Sequence, residues 1–280
     1  MQTTLSAEQV SVSYGGAPIV DGVDAELRPG AVTALIGPNG SGKTTLLRGM
    51  CRLAPQVTGT VALDGQDIRA LSPKAFAKRL TILAQQRPTP AGLTVAEVVE
   101  LGRHPHRRRL ARTDPQGAEA VERALSLAGL EELRHQPVAE LSGGQLQRVW
   151  LATCLAQQTD VLLLDEPTTF LDLKHQMSLL DLIRELADAH GLTVGVVLHD
   201  LEQAADIADH VILLSEGRVV TSGPPEQVMT GERLSEVYGV GIDVTELADG
   251  TLAIRARRAL RGRRRPARTP LDERRTPAHA

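Results

Sequence analysis

The chain has 280 residues, 42% of them hydrophobic and 23% charged, which are the values of a globular protein long enough to bury a sizeable core. Aromatic content of 2% leaves little surface for stacking bases, and the net charge of −3 is uneven: ten arginines against Asp272 and Glu273 give +8 from Arg255 onward and −11 before it, so an acidic body argues against nucleic-acid binding. No apolar run approaches the ~18 residues of a membrane span, the amino terminus is neither basic nor apolar, and Cys51 and Cys154 have no paired motif; neither a signal peptide nor a membrane-spanning segment is expected, and both thiols should be buried and reduced.

QVSVSY (residues 9–14) alternates and predicts a strand; GGAP turns it, and IVDGVDAEL predicts an antiparallel partner. AVTALI (31–36) predicts a buried strand, and KTTLLRGMCRL predicts the helix after it. TGTVALDGQDI predicts a strand with an Asp-Gly turn, SPKAFAKRL a short helix, and TILAQQ (81–86) a strand ending in polar residues. LTVAEVVELGR and AEAVERALSLAGL predict amphipathic helices, the second closed by Gly129, on either side of a basic, Pro-containing loop. From about Leu93 to Leu155 the pattern is helical and sits as an insert between α/β portions.

ELSGGQLQRVWLATCLAQQ turns and becomes a helix, TDVLLLDEP predicts a buried strand, and LKHQMSLLDLIRELADAHG a long helix ended by Gly191. LTVGVVLHD predicts a strand, EQAADIADHV a helix, VILLSEGRVVTSG a hairpin, and PPEQVMTGERLSEVYGV short closing helices. Strands alternating with helices predict an α/β fold with a mostly parallel sheet covered on both faces. Residues 1–240 read as one unit. In the extension 241–280, GIDVTELADGTLAIRAR could add a weak hairpin, and the Arg- and Pro-rich stretch from about 257 is expected to be a disordered, solvated tail.

Three stretches carry the chemistry. GPNGSGKTT (37–45) matches the phosphate-loop pattern at Gly37, Gly42, Lys43 and Thr44, between a predicted strand and a predicted helix. In such a loop, here Gly37, Pro38, Asn39, Gly40, Ser41 and Gly42, the glycines at 40 and 42 let the backbone curl until successive N–H groups point at phosphate oxygens, Lys43 places a charge between the β- and γ-phosphates, and Thr44, followed by Thr45, offers a hydroxyl to Mg²⁺. With a nucleotide loop downstream, Tyr14 at the end of the first strand suits a ring stacked on adenine. VLLLDEP (161–167) brings Asp165 and Glu166 out at a strand's carboxyl edge, Asp165 to hold Mg²⁺ and Glu166 to orient or deprotonate an attacking water. LSGGQ (141–145) opens a helix that Ser142 can cap, so its N–H groups suit an anion, and a second anion-binding helix end suggests a second copy of the chain.

GPNGSGKTT, a Gln after TILA, LSGGQ, LLLDEP, FLD and LHD occur in that order, and with them the chain resembles an ABC-transporter ATP-binding subunit over residues 14–239. The resemblance implies a P-loop NTPase (RecA-like) core with an antiparallel β-subdomain and an inserted helical subdomain. It implies a head-to-tail homodimer holding two ATP molecules, in which Ser142, Gly143, Gly144 and Gln145 face the γ-phosphate held by the other subunit's Lys43. Asp172 would link the two sites, His199 would contact the γ-phosphate and hold Glu166 and its water, and Gln85, or the adjacent Gln86, would sense Mg²⁺ and the membrane permease. Residues 87–109 would form the permease contact at the cytoplasmic face of the membrane. TTFLDLKHQMSLLDLI, LTVAEVVELGRHPH and VMTGERLSEVYGV resemble the iron-siderophore, haem and cobalamin importer branch, with iron-siderophore cargo first and a substrate-binding protein as an indirect partner. Soluble ABC ATPases outside transport usually carry a coiled-coil insertion or two tandem units, and this sequence has neither.

Overall fold

The protein is described by a computed structural model over residues 3–85, 89–107 and 114–257. In chain order the strands are β1 (Leu5–Ser13), β2 (Val20–Leu27), β3 (Val32–Ile36), β4 (Gln56–Leu63), β5 (Gln66–Asp67), β6 (Leu80–Leu83), β7 (Val161–Asp165), β8 (Thr193–Val197), β9 (His210–Ser215), β10 (Arg218–Gly223), β11 (Ile242–Glu246) and β12 (Leu252–Ala256). The α-helices are α1 (Lys43–Met50), α2 (Pro73–Ala77), α3 (Val95–Leu101), α4 (Gly117–Leu127), α5 (Gly143–Ala156), α6 (Leu173–Asp188), α7 (Leu201–Ile207), α8 (Pro225–Val228) and α9 (Gly231–Tyr238).

The central sheet runs β10-β9-β3-β8-β7-β6, parallel throughout except for β10, which folds back on β9 through a Glu216-Gly217 turn with both residues at positive φ. Strands β3, β7 and β8 are buried at every position, as their unbroken apolar runs require of a sheet covered on both faces. A second, antiparallel sheet runs β2-β1-β4-β5, and its inner face shares one core with Leu46, Leu47 and Met50 of α1. Gln9 at positive φ and a register shift between Ala7 and Val10 mark a bulge in β1. Helices α3, α4 and α5 enclose a separate apolar core built from Val95, Val98, Val99, Leu125 and Val149.

Some boundaries differ from the sequence reading: the strand predicted over 81–86 already ends at Leu83. The helix predicted over EQAADIADHV stops at Ile207, because Asp209 Oδ2 accepts from Val32 N (2.8 Å) and His210 starts a strand that pairs with β3. The weak hairpin is well formed: β11 and β12 pair antiparallel, Ile242 is buried in the main core, and Ile254 N donates to Glu202 Oε1 of α7 (3.0 Å). The Arg- and Pro-rich stretch from 258 lies outside the described residues. Cys51 and Cys154 are both buried, and burial pushes the Cys51 thiol up to about 12. Among the described residues, no helix is long and apolar enough to cross a membrane.

Candidate active site

Strand order assembles the site. β3, β8, β7 and β6 are consecutive, parallel neighbours in the sheet, although they lie far apart in the chain. The loop from Gly37 leaves β3, His199 follows β8, Asp165 closes β7 with Glu166 after it, and Gln85 follows β6. These groups therefore meet at one carboxyl edge, the edge at which open α/β sheets bind ligands.

The loop needs its glycines. Gly37 (φ 146°) and Gly42 (φ 99°) occupy backbone regions that L side chains avoid, and a Cβ on Gly37 would lie 2.1 Å from Leu214 O. Gly42 begins α1 with no side-chain cap, so the first-turn N–H groups are left for another acceptor. A cleft of about 150 Å³ follows, lined by Asn39, Gly40, Gly42, Lys43, Thr44 and Thr45 with Glu166, His199 and Ile19 opposite. Ser41 is buried, and its Oγ has no hydrogen-bond partner among the described residues. Lys43 Nζ donates to Gly37 O (2.8 Å) and Pro38 O (3.0 Å), so the loop's own carbonyls hold the ammonium within the loop. Burial pulls its pKa below the ordinary amine value, against an opposing pull from Glu166 and Asp165.

Asp165 is 1% exposed. Its Oδ1 accepts from Thr44 Oγ1 (2.7 Å), while its Oδ2 is buried without a partner among the described residues. Burial raises its pKa, and the Thr44 bond and the positive charge of Arg48 oppose that rise only in part. A buried carboxylate oxygen with an unmet lone pair beside a hydroxyl is a hard-oxygen donor set, which fits Mg²⁺. Glu166 adopts φ 52°, uncommon for a side chain of its size, and its N–H donates to Val197 O (3.2 Å). Its carboxylate is gripped from three sides: His199 Nε2 lies 2.5 Å from Oε1, Gln85 Nε2 donates to Oε2 (2.5 Å), and Thr169 Oγ1 donates more weakly to Oε2 (3.4 Å).

Other candidates are not among the residues lining this cleft. Gln85 turns its amide to Glu166 rather than to Thr44 or Asp165, and Gln86 lies outside the described residues. Tyr14 is 46% exposed beyond the end of β1 and does not line the cleft. Ser142 and Gln145 bond each other as a capping box, Gln145 N to Ser142 Oγ (3.3 Å) and Ser142 N to Gln145 Oε1 (2.9 Å), which leaves Gly143 exposed and Gly144 buried at the helix start. Asp172 caps α6, its Oδ1 accepting from His175 N (3.0 Å).

Sequence reasoning passed over several contributors. Ile19 lines the cleft, Gln147 Nε2 donates to Pro167 O (3.0 Å) and ties α5 to the turn after Glu166, and Gln176 Nε2 holds Thr168 O and Leu171 O. None belongs to a motif, and only the folded geometry brings them there. Within the stretch 87–109, expected from the sequence to be the permease contact, the described residues 89–107 are not uniformly exposed. Arg103 is 1% exposed and turned inward, bidentate to Asp114 (2.7 and 3.2 Å) and bonded to Ala156 O and Gln158 Oε1 (2.7 Å each); residues 86–88 and 108–113 lie outside the described residues.

The ABC transporter family matches residues 20–169, which span the phosphate loop, LSGGQ and the Asp165-Glu166 pair. The chain belongs to the ABC transporter family. It is an ATP-binding subunit of the kind that hydrolyses ATP to power transport. It is 44% identical over 84% of its length to the ferric enterobactin transport ATP-binding protein FepC of Escherichia coli (strain K12), covering 87% of that protein. It is 42% identical over 87% of its length to the "Probable siderophore transport system ATP-binding protein YusV" of Bacillus subtilis (strain 168), covering 89% of it. Its fold also matches the dimeric structure of MJ0796, a bacterial ABC transporter cassette, with a TM-score of 0.66 and 28% identity over 79% of this chain and 98% of that one. As an ABC subunit it works within a transporter complex.

Proposed function

We propose that two copies of this chain close head to tail around two ATP molecules and hydrolyse them to power a bacterial importer of iron-siderophore complexes. One observation supports the chemistry: Lys43, Thr44, Glu166 and His199 line one cleft at one sheet edge, and Asp165 is bonded to Thr44 beside it. The siderophore assignment is supported by the relatives, whose names are those of siderophore transport subunits.

In this reading the first-turn N–H groups of α1 and the loop 37–42 cradle the phosphates, and Lys43 exchanges the carbonyls of Gly37 and Pro38 for phosphate oxygens. Mg²⁺, held by Thr44 and Asp165, would neutralise charge building up on the γ-phosphoryl oxygens. Glu166 takes or orients the proton of the attacking water, and His199 and Gln85 hold that carboxylate in place. The uncommon φ at Glu166 aims the carboxylate out of the strand line. Ser142, Gly143, Gly144 and Gln145 complete the γ-phosphate shell of the opposite subunit, Asp172 communicates between the two sites, and Tyr14 stacks on adenine. The permease docks on the α3–α5 unit at the cytoplasmic face of the membrane, and a substrate-binding protein delivers cargo on the other side.

The test is uptake of ⁵⁵Fe-siderophore, haem and cobalamin by cells deleted for this gene. We expect ferric-siderophore uptake to be lost, and to be restored by the wild-type chain but not by Glu166→Gln. Loss of haem or cobalamin uptake alone would reassign the cargo, and unchanged uptake of all three would contradict the import reading.

A further inference from the structure

Gly144 in LSGGQ is buried at the start of α5, and what fills the space beside it is the imidazole of His175 from the first turn of α6. A Cβ at position 144 would lie 2.5 Å from His175 Cδ2, 2.7 Å from Cγ and 3.1 Å from Nε2, so the ring packs directly on the Gly144 backbone. The other edge of the same ring is tied to Asp172, with Nδ1 2.7 Å from Oδ1, an oxygen that also accepts from His175 N (3.0 Å). A carboxylate on Nδ1 fixes the proton there and holds the ring plane against Gly144. The side chain is therefore constrained on both edges although 35% of it remains exposed. Gln147 Nε2 to Pro167 O and Gln176 Nε2 to Leu171 O brace the same corner from α5 and α6.

We propose that His175 is a positioning residue that sets the LSGGQ start of α5 and the Asp172 turn in one fixed relation, so that both meet the opposite subunit together when the dimer closes. The inference rests on the proposed ATP-driven closure. It adds a physical reason for glycine at 144: the space a side chain would take belongs to His175. It also predicts a separation of effects. None of Gly144, Asp172 and His175 lines the cleft at the phosphate loop, so the subunit's own nucleotide contacts do not include His175. Closure does depend on it, because Gly143, Gly144 and Asp172 are presented as a unit.

The experiment compares Glu166→Gln with Glu166→Gln/His175→Ala and Glu166→Gln/His175→Asn. Affinity for a fluorescent ADP analogue reports the subunit's own site, and the ATP concentration giving half-maximal dimer in sizing chromatography reports closure. In His175→Ala we expect ADP-analogue affinity within about twofold of the parent and the dimer midpoint raised about tenfold or more, a change of roughly 1.4 kcal/mol. His175→Asn keeps a donor for Asp172 and should recover part of that loss. A dimer midpoint unchanged by His175→Ala, a matching loss of ADP-analogue affinity, or no recovery in His175→Asn would overturn the proposal. If the parent Glu166→Gln fails to dimerise with ATP, the closure reading itself fails, so the two failures are separate results.

Discussion

At the scale of single residues, the decisive pair is Thr44 and Asp165. Asp165 is all but sealed from water, and the Thr44 hydroxyl is its one hydrogen-bond donor among the described residues. Removing that hydroxyl leaves a buried carboxylate bare, at a cost of about 1–3 kcal/mol, and drives its already raised pKa higher. Thr44→Ala should therefore melt lower without ligand and lose the gain in nucleotide affinity that Mg²⁺ confers, as read by calorimetry with and without chelator. Magnesium dependence equal to wild type would contradict the assigned role. Much of the site at this scale was legible in the sequence, because GPNGSGKTT and LLLDEP state their chemistry in residue types at fixed spacing. Ile19, Gln147, Gln176 and His175 were not, since nothing in a sequence marks which polar or apolar side chain will face a motif across two helices. The burial of Arg103 is not legible for the same reason: the carboxylate and carbonyls that justify burying it lie 11 to 55 positions away.

At the scale of elements, Arg103 is a brace. It joins the end of α3 to Asp114 in the turn before α4 and to the carboxyl end of α5, while His106 Nε2 reaches Gln157 O (2.7 Å). The neighbouring guanidinium holds the Asp114 carboxyl below the usual carboxylate range. A lowered folded pKa contributes stability that is fully present above the unfolded value of about 3.9 and is lost as pH falls through the lower folded value. Asp114→Ala, which strands a buried cation, should cost about 3 kcal/mol at neutral pH. Urea midpoints of mutant and wild type should differ by the same amount at pH 7 and pH 5 and converge only below about pH 4. An equal gap at pH 3.5 would contradict the pairing. The early end of α7 belongs here as well. The pattern of residues 202–211 continues as helix by local propensity, but Asp209 bonds Val32 and Arg184 Nη1 donates to it at 2.7 Å, so tertiary partners take the chain into β9. The hairpin β11–β12 was legible only as a weak signal, because its stability comes from Ile242 in the main core and from Glu202 rather than from its own sequence.

At the scale of the whole molecule, the parallel sheet and its carboxyl edge were legible because apolar runs alternate with amphipathic helices. The order β3-β8-β7-β6 was not, and it is that order which puts Glu166 between His199 and Gln85. The cleft is lined by the phosphate loop, Glu166 and His199, whereas Gly143 and Gly144 are not among its lining and Gly144 packs on His175 of α6. A single chain thus presents two incomplete halves of one site, and the account requires a second copy to join them. The most direct test is magnesium-dependent phosphate release from ATP by the purified chain across a range of protein concentrations. The account predicts release that needs Mg²⁺, rises faster than linearly with protein at low concentration, and falls about 10²–10⁴-fold in Glu166→Gln. Release that is strictly proportional to protein, indifferent to Mg²⁺, or unchanged in Glu166→Gln would contradict it.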